Sequence, residues 1–112
     1  MALAPDERRW ASRYASALLL SGDAQGSLRV AEQSIKRFQP APEFHLLAGY
    51  ALLRSDPRAA AIHILECLLS DPQHAQAREA LKFLRTQHPN SAQFRSQFEA
   101  LLHEPRYAAL DH

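Results

Sequence analysis

A chain of 112 residues with 46% hydrophobic and 22% charged residues has the make-up of one folded globular domain, spanning 1–112, rather than of a disordered segment. Thirteen Lys plus Arg against twelve Asp plus Glu leave a formal charge of +1, with the charges interspersed, which disfavours a broad phosphate-attracting face and hence nucleic-acid binding. The single Cys67 excludes an intramolecular disulfide, the amino terminus lacks a signal layout, and Ala17-Leu18-Leu19-Leu20 is far shorter than a membrane span, so a cytoplasmic protein without membrane insertion is expected.

In chain order, the first helix is predicted over about 6–21, opened by Pro5 and Asp6 and closed by Gly22, the usual punctuation of a helix. Trp10, Tyr14, Ala17 and Leu18 form its apolar stripe, and Arg8, Arg9 and Arg13 around Trp10 read as its solvated side. Asp23 begins a second helix over about 23–38, with Leu28, Ala31, Ile35 and Phe38 facing inward. Gly26 is out of place there, because glycine early in a helix costs up to about 1 kcal/mol, unless it permits close packing or the helix begins later.

The prolines of Gln39-Pro40-Ala41-Pro42 then interrupt the chain. A third helix (about 42–54) and a fourth (57–70) follow, joined by Ser55-Asp56-Pro57, in which Asp56 can cap the fourth helix and Pro57 fits its first turn. Phe44, Leu47, Ala48, Ala51, Ala60, Ile64, Leu68 and Leu69 recur at three- and four-residue steps, the helical period. The third helix is apolar nearly all round, so it must be covered on more than one side.

A fifth helix (about 74–87) narrows to a stripe of Ala77, Ala80, Leu81 and Leu84. His88-Pro89 stops it, Asn90 or Ser91 caps a sixth helix, and Phe94, Phe98, Leu101 and Leu102 give that helix its stripe until Pro105. The tail over 105–112 is too short to assign. Alternating strand patterns and hairpin-turn dipeptides are both missing from the sequence, so the expectation is an all-α fold of six helices in three helical hairpins.

The segment 41–74 is one unit of 34 residues: large Phe44, Leu47 and small Ala48, a turn at Ser55-Asp56, then small Ala60, larger Ile64, small Cys67 and a closing Pro72. That order resembles the tetratricopeptide repeat, in which small residues let paired helices approach and large ones fill the neighbouring repeat's gaps. The preceding unit, 8–40, has Tyr14, Ala15, Leu18, Gly22-Asp23, Ser27, Ala31 and Ser34 in similar places, and 75–104 is a degenerate third unit that keeps Leu81, Phe94 and Phe98. The resemblance implies three hairpins stacked as a short right-handed α-solenoid. By size and architecture the chain is also similar to the small repeat-built chaperones and co-chaperones of bacterial type III secretion.

In this family the first helix of each hairpin lines a concave groove. The resemblance therefore implies a partner-binding groove of Arg9, Ser12, Ser16 and Leu19 from the first helix, His45, Leu46, Gly49 and Leu53 from the third, and Glu79, Phe83 and Thr86 from the fifth. The Lys and Asn ladder that grips a terminal carboxylate is missing, so the expected partner is another protein's apolar or amphipathic helix. Leu46 and Leu53 have a second reading, as core. A homodimer or larger homo-oligomer using the same apolar surface is the alternative function.

Chemistry-bearing residues are few. His63 and Cys67, four apart, can share one face of a helix, but two ligands do not make a metal site, and Cys67 falls where the repeat wants a small buried residue. The six histidines form no HExxH motif, and neither a nucleophile triad nor a glycine-rich phosphate loop can be assembled. No enzyme, cofactor or metal is expected; a metal-dependent enzyme or sensor is the remote alternative.

Overall fold

A computed structural model describes residues 5–86 and 92–111. The described residues form helices α1 (Pro5–Leu20), α2 (Ala24–Arg37), α3 (Pro42–Leu52), α4 (Pro57–Ser70), α5 (Ala75–Thr86) and α6 (Ala92–His103), then a 3-10 turn over Ala108–Asp111. The protein is all-α, and no strand occurs among the described residues. No described helix is long and apolar enough to cross a membrane. The expected stop at His88-Pro89 and the Asn90 or Ser91 cap lie outside the described residues.

Local chemistry sets the turns. Gly22 takes φ +95°, and the Gly22 and Asp23 amides donate back to the Leu19 and Leu18 carbonyls, so α1 ends in a left-handed cap that only glycine adopts without strain. Asp23 caps α2 by accepting from the Gly26 amide at 2.8 Å. This explains Gly26: a Cβ there would collide with the Asp23 carboxylate, coming 2.8 Å from its Cγ and 3.0 Å from the capping Oδ1. Asp56 likewise accepts from the Ala59 amide, with Pro57 in the first turn of α4. His74 caps α5, its Nδ1 accepting from the Ala77 amide.

Packing follows from two apolar clusters that share α3. On one side, Ala15, Ala31, Phe38, Ala41, Phe44, Leu47 and Ala48 join α1, α2 and α3, with the Phe38 and Phe44 rings stacked 5.9 Å apart. On the other, Leu46 joins Ile64, Leu65, Leu68, Leu81 and Leu84 and the α6 residues Phe94, Phe98, Leu101 and Leu102. The apolar circumference of α3 is thus covered twice, as its composition requires. Small residues set the closest approaches: a Cβ on Gly49 would come within 2.9 Å of Ile64 Cγ1 and 3.3 Å of the Ala60 carbonyl. Ser27, fully buried, donates its hydroxyl to the Ala15 carbonyl at 2.8 Å where α2 crosses α1.

One expectation is corrected here. The buried side of α1 is not the stripe Trp10, Tyr14, Ala17 and Leu18. Ala15 is fully buried, with Ala11 and Leu19 packed against its cluster, whereas Trp10 is 72% and Tyr14 50% exposed. Close approach of α2 selects the small side chains and turns the rings outward. In the tail, which the sequence left unassigned, Tyr107 is buried in the second cluster, and Arg106 forms a salt bridge with Glu66 of α4 at 2.6 Å. α4 therefore carries α5, α6 and the terminal turn besides α3.

Candidate functional site

The expected groove residues divide by location. Leu46 is 5% exposed and packed within the second cluster, and Gly49 lies buried against α4, so both hold α3 in place instead of lining an open surface. His45, half-buried, points to α4, where its Nδ1 lies 3.1 Å from Nδ1 of His63. Arg9 and Ser12 share a shallow concavity with Arg8, Arg13 and Glu43 at the other end of α1, where Arg8 donates to the Glu43 carboxylate and the Pro40 carbonyl. Ser16 is half-buried on the same face of α1. Thr86 is exposed and donates to the Lys82 carbonyl of its own helix.

The remaining expected residues come together. Leu19 of α1 and Leu53, just past α3, line one depression of about 940 Å³, together with Leu28 of α2. Leu53 also lines a second concavity of about 520 Å³ with Glu79 and Phe83 of α5. Tyr50 borders both, so the two hollows adjoin at Tyr50 and Leu53 and form a strip in sequence from α1 to α5. Phe83, 48% exposed, is its outermost apolar group. Exposed Glu79 stands one turn before it, and Arg29, Glu32 and Lys36 of α2 give the α2 side a mixed-charge border.

Tyr50 was not among the residues assigned to the groove from the sequence. The signal was there: Tyr50 is three residues before Leu53, on the same side of the helix, and a phenol is the side chain that lies half in an apolar wall with its hydroxyl wet. Burial, with Cys67 nearby, moves its titration above the usual tyrosine range, so the hydroxyl remains a donor throughout the physiological range.

Titratable groups elsewhere have structural surroundings. Burial pushes the Cys67 thiol up to about 11, which keeps it protonated and unreactive at neutral pH. In the pair formed by His45 and His63 one Nδ1 must donate and the other accept, so one imidazole proton is shared across the contact between α3 and α4. Burial lowers the pKa of both; at His45 the proximity of His63 adds to this and Glu66 opposes it, while at His63 Glu32 and Glu66 oppose it. Among the described residues no group of three or more His, Cys, Asp or Glu side chains is arranged to hold a metal ion.

No family model, curated protein or solved structure matches this chain.

Proposed function

We propose that this protein is a non-enzymatic interaction module, an adaptor or chaperone, that holds an apolar or amphipathic helix of another protein along the strip from Leu19 through Tyr50 and Leu53 to Phe83. The observation that carries the reading is that two hollows, lined by α1, α2, α3 and α5, meet at Tyr50 and Leu53, with an aromatic ring left half open at the far end. Surfaces of this kind, an apolar centre edged by mixed charge, suit the anchor residues of a helix laid into a groove. Tyr50 and Phe83 are the anchors; Glu79 and Lys36 lie at the polar border.

The stack of hairpins expected from the tetratricopeptide resemblance belongs to the same proposal. Its support is the succession of packed neighbours α1 on α2, α2 on α3 and α3 on α4, and the elongated dimensions of 45 × 30 × 20 Å. The third unit departs from the first two in that α6 and the terminal turn rest on α4. Within this reading, a cytoplasmic chaperone of the type III secretion kind is the narrower assignment, resting on size and helical-hairpin architecture.

The test is a comparison of wild type with Phe83→Asp. Immobilised wild-type chain should retain a host protein that Phe83→Asp, with unchanged circular dichroism, releases. Growth in size with protein concentration, in the absence of any partner, would instead assign the strip to self-association.

A further inference from the structure

His45 of α3 and His63 of α4 face each other across the contact on which both halves of the strip depend. Their rings are tilted by 38° with centroids 5.3 Å apart, the two Nδ1 atoms lie 3.1 Å apart, and both side chains are half-buried. A neutral pair satisfies this geometry with one Nδ1–H donor and one bare Nδ1 acceptor. A first proton can enter at Nε2 of the donor ring and leave that bond in place, strengthened by the charge. A second proton must go to the accepting Nδ1 itself. Both Nδ1 atoms then carry hydrogen, the bond is gone, and two imidazolium rings face each other in a partly desolvated contact.

The charges around the pair offer it little relief. Glu32 of α2 and Glu66 of α4 are the carboxylates that favour its protonation, but Glu66 is already gripped by both arms of the Arg106 guanidinium. Glu43, two residues before His45, is held by Arg8, and Cys67, one turn after His63, is a neutral thiol. Each histidine lies nine residues from Arg54 at the hairpin turn, so parting the rings swings α4 about that turn. α1 and α2 pack with α3, whereas α5 rests mainly on α4. The swing therefore takes α5 with it. We infer that His45 and His63 form a two-proton latch on the strip: the second proton parts α3 from α4, draws Glu79 and Phe83 away from Tyr50 and Leu53, and releases a helix held across both hollows. This inference rests on the strip as the binding surface and adds that acid switches its occupancy.

The latch is testable on the free chain, without a partner. Nitroxide labels at Gln33→Cys of α2 and Gln76→Cys of α5, both exposed positions beside the two hollows, report the distance across the strip, while the buried Cys67 stays unlabelled. From pH 8 to 5 that distance should lengthen while the helical circular dichroism is retained. Histidine ring resonances should show His45 and His63 taking up protons in two separate steps, with the lengthening following the second, below the ordinary histidine value of about 6.5. His63→Gln and, independently, His45→Gln leave only one ring to protonate, and each should hold the neutral-pH distance down to pH 5. An unchanged distance in the wild type, an equal lengthening in both variants, or a lengthening that appears only as the helical signal is lost would each overturn the latch. None of these results touches the strip as a binding surface, which the comparison of wild type with Phe83→Asp at neutral pH tests by itself.

Discussion

His45 and His63 sit at equal sequence distance on either side of Arg54, so the antiparallel hairpin brings their rings together. Their shared proton ties stability to pH. Both pKa values are lowered in the folded protein, so the unfolded chain binds more protons as pH falls through about 6.5, the unperturbed histidine value. The stabilisation is fully present above that value and is lost below it, as two imidazolium rings are forced together between α3 and α4. Denaturation midpoints measured from pH 8 to 5 should fall in wild type and fall less steeply in His63→Gln; parallel profiles would remove the pair from the account. Close packing at the same contact gives a second residue-scale prediction. Ala60→Leu should overpack α3 against α4 and cost about 1–3 kcal/mol, read from urea unfolding. Leu46→Glu should abolish the folded circular dichroism spectrum, because its carboxylate would be stranded inside the second cluster.

At the scale of elements, the turns were the most legible part of the sequence, because Gly22-Asp23 and Ser55-Asp56-Pro57 each combine a residue that stops one helix with a carboxylate that starts the next. Asp56→Ala should therefore cost about 0.5–2 kcal/mol, the loss of one helix cap, with the helical content retained at low temperature. The orientation of α1 was not legible. Its sequence offers two faces, one of large rings and one of alanines, and hydrophobicity favours the rings whereas close helix contact favours Ala11 and Ala15. Only the position of α2 decides between them. For α3 the difficulty was the reverse: a helix apolar all round gives no direction, so the groove implied by the repeat included Leu46 and Gly49, which face α4 and the second cluster, and omitted Tyr50. The tail was opaque because Tyr107, Leu110 and the ion pair of Arg106 with Glu66 hold it, none of which makes a period to detect.

Across the whole molecule, α3 is the divider between two cores and α4 the platform for everything after it, so the strip from α1 to α5 crosses both halves. A partner lying along it would clamp the halves together and raise stability through its own binding energy. The most direct measurement is a calorimetric titration of wild type and Phe83→Asp with the purified helical segment of the captured partner. The strip predicts a loss of at least tenfold in affinity, about 1.4 kcal/mol, with the melting temperature of the free protein little changed. Equal affinity of the two proteins would place the partner elsewhere and contradict the account.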